Sequence, residues 1–202
     1  MAQHTRPNPA LAPLSRRLRN AFTPLLPFYF RARGGDAPRP RAYMPPPMSH
    51  PNARTAPRTT ARAAARLAAV QALYQFEMEG TRITQLLHEF HQHRLGATIE
   101  GVEYAEPDID FFDDLVTGTH ARLEEIDAGI AARLAKGWSM ARLDKPMKAI
   151  LRAGSYELLA RADVPVAAVI SEYVDVAHAF YERRDAGFVN GLLDAIAKSV
   201  RG

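Results

Sequence analysis

Cysteine is absent from the 202 residues of this chain. The absence excludes disulfides, thiolate zinc sites and cysteine nucleophiles, and it is compatible with a reducing cytoplasm, where we expect the protein to work. No apolar run reaches the roughly eighteen residues that predict a membrane span, so we expect no membrane partner. Hydrophobic residues still make up 47% of the chain, which is enough for a core in a folded body of about 145 residues.

Sequence motifs of common enzymes are missing as well. The chain has no glycine-rich phosphate loop, no Gly-x-Ser-x-Gly and no His-Glu-x-x-His. The stretch HEFHQH is the best metal candidate, because His88 and His91 are spaced to share a helix face, yet only Glu89 adds a nearby carboxylate. We interpret the stretch as a solvated polar face, and we predict no catalytic residue, no metal and no cofactor.

Two carboxylates are placed close to apolar positions. Glu157 and Glu172 are therefore expected to be partly buried, and a buried carboxylate needs a cationic partner. Arg152 or Arg161 would supply it. We interpret such pairs as structural rather than catalytic.

Positive charge is concentrated in the first 57 residues. Nine of the 26 lysines and arginines lie there, with twelve of the fifteen prolines, against one of the 22 acids, Asp36. No sustained helical or strand period accompanies them. We predict a disordered Pro/Arg-rich leader over 1–57 and a mildly acidic folded domain over 58–202. A targeting peptide, or a true start at Met44 or Met48, is an open alternative for the leader.

Apolar residues at intervals of three and four predict helices throughout residues 58–202, and no convincing alternating strand pattern appears. We expect an all-α bundle of six or seven helices joined by short loops. Gly80 should end the first helix, and Thr81 should open the second. The longest periodic run, from Ile109 to Ile130, predicts a single helix of roughly seven turns.

Three aspartates mark the expected starts of the later helices. Asp144 with Pro146, and Asp163 with Pro165, have the pattern of a capping residue followed by a first-turn proline. Asp185 is expected to cap the last helix.

The stretch RTTARAAARLAAVQALYQF carries three arginines four residues apart. Arg58, Arg62 and Arg66 would lie near one helix face, close to the helix N-terminus, where free N–H groups and the dipole favour anions. Guanidinium forks at that place suit a phosphate backbone. The alternative is a solubilising face on an alanine-rich helix.

The last helix opens with ERRDAGFVNGLLD. Arg183 and Arg184 would hold phosphate, Phe188 would stack on a base, and Asn190 would read a base edge. We expect this helix start and the arginine row to converge on one open surface. The alternative places Phe188 in the core, with Gly191 allowing close helix packing.

Four stretches carry a family resemblance: ARAAARLAAVQALYQFE, MKAILRAGSYELL, DVPVAAVISEYVDVAHAF and FVNGLLD. Together they resemble the NusB family of bacterial transcription antitermination factors over about residues 58–200. The resemblance implies two small helical bundles around the first helix and no enzymatic activity. It also implies three partners, namely the ribosomal protein NusE, the single-stranded boxA element of nascent ribosomal RNA transcripts and, through other Nus factors, the RNA polymerase elongation complex.

The resemblance also assigns roles to residues. The basic cluster of the family falls on Arg58, Arg62 and Arg66, with Gln71 continuing the same helix toward RNA. Its base-stacking aromatic falls on Phe188, and its NusE-facing tyrosine falls on Tyr74.

Some positions depart from the family pattern. Met147 stands near the place of an acidic residue in the partner interface, Ser171 replaces the usual asparagine, and Arg183 and Arg184 occupy a segment that is often acidic or polar. These departures concern partner and RNA contacts more than the fold.

Two other functions stay open at this stage. NusB-like helical domains also precede the catalytic domain of some ribosomal RNA cytosine methyltransferases, so the chain is alternatively an RNA-binding relative of those enzymes without catalysis. It is alternatively a homodimeric bundle that binds only proteins.

Overall fold

A computed structural model describes residues 58–95 and 107–202, with side chains from Ala61 onward. This part of the chain forms seven α-helices and one short 3-10 helix, and it contains no strand. The all-α prediction is therefore confirmed. The predictions for the leader 1–57, and for the side chains of Arg58, Thr59 and Thr60, lie outside the described residues.

The helices are labelled here in chain order. They are α1 (Arg58–Glu79), α2 (Ile83–His93), α3 (Ile109–Ala121), α4 (Leu123–Ala131), α5 (Lys145–Ala160), α6 (Val166–Phe180) and α7 (Arg183–Arg201), with the 3-10 helix at Met140–Arg142. Gly80 ends α1 as predicted, with a positive φ of 66° and its N–H bonded to the carbonyl of Phe76 at 2.9 Å.

The long apolar run is two helices, not one. Arg122 leaves the helical region with φ −112° and ψ 23°, so α3 ends before it and α4 begins after it. Both helices pack against α5, and α4 also reaches α7. A straight helix over the whole run would be about 33 Å long and would overshoot α5, which is about 24 Å long. The break at Arg122 turns the second half back onto the core.

The helix starts follow the predictions only in part. The carboxylate of Asp144 caps α5 by accepting the N–H of Met147 at 2.9 Å, as predicted. Asp163 does not cap α6, because Pro165 occupies the N-cap position and the Asp163 carboxylate pairs with Arg161 instead. Asp185 lies within the first turn of α7, two residues after the helix begins. Helix α2 begins at Ile83, so the predicted start at Thr81 was two residues early.

Helix α5 is the centre of the described fold. Almost every residue from Met147 to Leu158 is buried, which is typical of a helix surrounded on all sides. It packs against α1, α3, α4, α6 and α7. Helix α1 contacts α2 and α3 as well as α5 and α6, so it lies between two groups of helices.

Two side-chain contacts show the relative direction of α1 and α5. Glu77 near the end of α1 accepts from Lys148 near the start of α5, while Arg66 near the start of α1 pairs with Glu157 near the end of α5. Helices α1 and α5 are therefore antiparallel.

Arg201 in the last turn of α7 joins that helix to the end of α5. Its guanidinium donates four hydrogen bonds, of 2.6 to 2.9 Å, to the carbonyls of Glu157, Leu158, Arg161 and Val164. The carbonyls of Glu157 and Arg161 also accept backbone N–H groups, so the guanidinium is a second donor to them. Its positive charge complements the partial negative charge at the end of α5.

Gly118 on α3 allows close contact with α5. The ring of Tyr156 lies directly over it, and its O–H donates to Asp114 at 2.8 Å. A Cβ built on Gly118 would lie 2.0 Å from Cζ of that ring, which no side chain tolerates. Any larger residue at position 118 must therefore displace the Tyr156 ring or push α3 and α5 apart.

We expect Gly118→Ala to lower the free energy of unfolding by about 1–3 kcal/mol, because overpacking forces the ring or the helices to move. Gly129→Ala on α4 is the matched control, since its Cβ would meet nothing nearer than 3.9 Å. That variant should be neutral or stabilised by up to about 1 kcal/mol through helix propensity. Urea unfolding of both variants measures the difference, and equal stabilities would contradict the proposed close contact.

Candidate nucleic-acid interface

Arg66, the third residue of the arginine row, is buried. Its side chain is 5% exposed, and its Nε and Nη2 donate to the two carboxylate oxygens of Glu157 at 2.9 and 2.6 Å. Its Nη1 also donates to Glu172 at 3.2 Å. The row expected from the sequence is therefore not an open set of three cations. Arg66 joins α1 to α5 and α6, and we leave it out of the RNA-contact set.

The expected burial of Glu157 is confirmed, but its expected partners were wrong. Neither Arg152 nor Arg161 reaches Glu157, since both are engaged by carboxylates on other helices or loops. Arg152 pairs with Glu77 and Asp127, and Arg161 pairs with Asp114 and Asp163. Sequence spacing indicates which carboxylates are buried, whereas the partner depends on how helices cross.

Burial and charge act in opposite directions on this cluster. Burial alone would lower the pKa of Arg66, but the hydrogen bonds and the charge of Glu157 outweigh it, so the pKa is raised. Burial raises the pKa of Glu172, and the charge of Arg66 only partly offsets that rise. The guanidinium is therefore permanently charged and more strongly tied to Glu157 than to Glu172.

Arg62 is the described arginine of the row that keeps access to solvent. Its side chain is 20% exposed and lies 3.5 Å from Asp108 and 3.6 Å from Asp163, distances that are long for ion pairs. Its Cζ lies 4.8 Å from the ring centre of Phe111, and its buried Nε has no hydrogen-bond acceptor among the described residues. An approaching phosphate would find a cation that its carboxylate neighbours hold only loosely.

The predicted residues farther along α1 are partly accessible. Gln71 and Tyr74 are half-buried, and Met78 is exposed. The three residues are spaced by three and four positions, so they follow one strip of the helix surface.

Met147, by contrast, is a core residue. It is 7% exposed and packs within the main hydrophobic cluster, so its side chain is not presented to a partner. The expected partner contact at this position is corrected for that reason.

The start of α7 presents the predicted side chains to solvent. Arg183, Arg184 and Asn190 are exposed, and neither guanidinium has an ion-pair partner among the described residues. Phe188 is half-buried against the core, so it is neither sealed inside nor fully open. The packing role considered for Gly191 is wrong, because a Cβ built there would have no neighbour within 4 Å.

The two groups of candidate residues do not converge. The O–H of Tyr181, just before α7, donates to Asp144 at the start of α5, whereas Arg62 and Arg66 lie by the end of α5. The span from Asp144 to Glu157 is about 20 Å along a helix axis. The expectation of one shared surface is therefore corrected to two patches at opposite ends of α5.

Sequence reasoning missed one residue beside this second patch. Trp138 is 52% exposed, and its ring centre lies 6.2 Å from that of Phe188, with an interplanar angle of 32°. The Cζ of Arg142 lies 5.3 Å from the indole centre. A tryptophan after glycine in a short loop is a weak signal, because neither its exposure nor its neighbours can be predicted from local sequence.

No group of three or more histidines, cysteines or acids suited to a metal occurs within residues 58–95 and 107–202. His91 lies 2.7 Å from Asp113 across α2 and α3. None of the described helices is both long and apolar enough to cross a membrane.

Sequence comparison gives consistent relatives. The NusB family profile matches residues 63–198. The transcription antitermination protein NusB of Sphingopyxis alaskensis is 70% identical over 135 residues, which cover 67% of this chain and 91% of that protein. The corresponding protein of Caulobacter vibrioides is 48% identical over 135 residues, with the same coverage of 67% and 91%.

Solved structures agree with these relatives. T. maritima NusB matches with a TM-score of 0.58 and 28% identity, over 70% of this chain and 93% of that chain. A crystal structure of antitermination factors NusB and NusE in complex with dsRNA matches with a TM-score of 0.57 and 26% identity, over 68% and 96% of the two chains.

The different surroundings of Arg66 and Arg62 predict different losses of stability. Arg66→Ala leaves Glu157 buried with an unpaired charge and should lower the free energy of unfolding by about 3–5 kcal/mol. Arg62→Ala removes looser and partly hydrated pairs and should lower it by about 1 kcal/mol or less. Urea unfolding of the two variants gives both values, and similar losses would show that Arg66 does not hold the helices together.

Proposed function

The chain belongs to the NusB family, and we propose that it is a transcription antitermination factor that binds boxA-type single-stranded RNA of nascent ribosomal RNA transcripts together with NusE. The shared sequence over nearly the whole length of its antitermination relatives carries this proposal. The structure described as NusB and NusE with dsRNA supports an RNA partner and a NusE partner. We propose that the protein acts in the cytoplasm, where nascent bacterial transcripts are made. We also propose that it contacts RNA polymerase through other Nus factors.

Two separated contact patches suit an extended strand. Arg58 and Arg62 would hold phosphates at one end, and Arg183 and Arg184 would hold them at the other. The patches lie at opposite ends of a stretch of α5 that is itself about 20 Å long, so a strand that contacts both must span several nucleotides. A single nucleotide would reach only one patch, so the arrangement favours a strand of some length.

Base contacts would come from the start of α7. Phe188 offers a partly open ring for stacking, and Asn190 offers, on a different side of the same helix, an amide that can both donate to and accept from a base edge. Stacking on one aromatic side chain contributes about 1–3 kcal/mol per base. The ring and the arginines together would therefore give binding without any catalytic step.

The NusE contact is proposed for α1. Gln71 lies on the same strip as Tyr74, so the RNA-facing and partner-facing residues of this helix are neighbours. The exposed Met78 extends the strip by one turn and adds apolar surface suited to a protein partner. RNA and NusE bound side by side would each strengthen the binding of the other.

The salt dependence of RNA binding tests this proposal. We expect tighter binding of boxA RNA with NusE than without it, and a log–log salt slope that falls by about 0.7 for each phosphate contact removed. Arg62→Ala and the double variant Arg183→Ala/Arg184→Ala should weaken binding and flatten the slope. Fluorescence anisotropy of labelled RNA at several salt concentrations measures both quantities.

Arg82→Ala is the matched control, because Arg82 is an exposed cation at the start of α2, outside the proposed patches. It should leave affinity and slope unchanged. No RNA complex in either condition would overturn the proposal, and an unchanged slope in the arginine variants would overturn the assigned contacts. Light scattering on the same samples tests the alternative of a homodimer.

A further inference from the structure

We infer that Trp138 and Phe188 form a two-ring platform on which bases of the bound RNA stack, with Arg142 holding the indole in place. This inference rests on the proposed function. Trp138 is the single tryptophan of the chain, and half of its surface is open to solvent. An indole is costly to leave in water and is among the best stacking surfaces a protein can offer.

The two rings are close enough to act together. Their centres are 6.2 Å apart, within the range of interacting aromatic pairs, and their planes are tilted by only 32°. Phe188 is anchored in the core on one side, so the platform has a rigid base. Because aromatic side chains have few rotatable bonds, little conformational entropy is lost when a base is bound.

Arg142 keeps the indole in position. Its Cζ lies 5.3 Å from the ring centre, within the cation–π range, and its Nη1 donates to the carbonyl of Gly137 at 2.7 Å. The backbone N–H of Trp138 donates to the backbone carbonyl of Ala135 at 2.9 Å. The loop is therefore arranged before any ligand arrives, and its guanidinium adds positive charge beside the ring.

A strip of bare backbone runs beside Phe188. Arg184, Gly187, Phe188 and Gly191 are spaced by three, one and three residues, so they share one face of α7. A Cβ at either glycine would meet nothing within 4 Å. Glycine inside a helix costs about 1 kcal/mol relative to alanine, and neither glycine makes a close packing contact among the described residues. The open strip gives a flat base room to reach the ring.

The charges around the platform indicate that it contributes to RNA binding mainly by stacking. Arg183 and Arg184 face solvent, but Glu182 and Asp185 in the same turn leave that turn nearly neutral. The long-range field there is therefore weak, and the rings must contribute through contact. Two rings expose too little apolar area for a stable protein interface, which favours a nucleobase as the occupant.

The single tryptophan provides a direct test on the full chain. Single-stranded boxA RNA should quench the fluorescence of Trp138, and an oligonucleotide with abasic sites opposite the platform should quench it less while keeping its phosphate contacts. Trp138→Ala should weaken RNA binding by roughly 5- to 150-fold, the range for one lost stacking contact, without changing the salt slope. Trp138→Phe should recover part of the affinity.

Arg82→Ala is again the control, because Arg82 is exposed at the start of α2, outside both proposed RNA patches and away from the platform. Its RNA affinity should be unchanged. Gly191→Ala is a second variant that should fold at least as stably as the unchanged chain but bind RNA more weakly, because its methyl group enters the open strip.

The outcomes separate the platform from the proposed function. Normal RNA binding with no quenching, and with full affinity in Trp138→Ala and Gly191→Ala, would overturn the platform alone. Absence of RNA binding by the unchanged chain would overturn the proposed function as well. Quenching by purified NusE and not by RNA would overturn the platform as a base-stacking surface and assign the rings to a protein contact.

Discussion

A buried guanidinium lies where α1, α5 and α6 meet. Arg66 donates from two nitrogens to Glu157 and from the third to Glu172, and the Phe111 ring lies 5.1 Å from its Cζ. Glu157 is fully buried, so its charge is compatible with the core only while that cation is present. The pair fixes the position of α1 along α5, and through it the place at which Arg62 reaches the surface.

The need to pair buried carboxylates also separates the arginines into structural residues and candidate RNA contacts. A residue type chosen for binding phosphate is also the best partner for a buried carboxylate, since both uses exploit the planar fork of donors. Arg66, Arg152 and Arg161 are used inside the protein, whereas Arg183 and Arg184 remain free to meet an anion. A count of arginines in one sequence segment therefore overstates the binding surface.

Local patterns predicted the fold well because they depend on neighbours in the chain. The helix end at Gly80 and the cap at Asp144 are set by residues within one turn, and both were predicted correctly. The break at Arg122 was not, because it depends on how both halves pack against α5, a long-range contact. The exposure of Trp138 and the partner of Glu157 likewise depend on helix crossings, which leave no periodic signal in the sequence.

The four bonds from Arg201 to the carbonyls around the end of α5 have a consequence for synthesis on the ribosome. The donor follows its farthest acceptor, Glu157, by 44 residues. At a translation rate of 5–20 residues per second, about 2–9 s pass between the synthesis of Glu157 and the synthesis of Arg201. During that interval the central helix lacks its last tether, so the nascent protein completes its core only when α7 has left the exit tunnel.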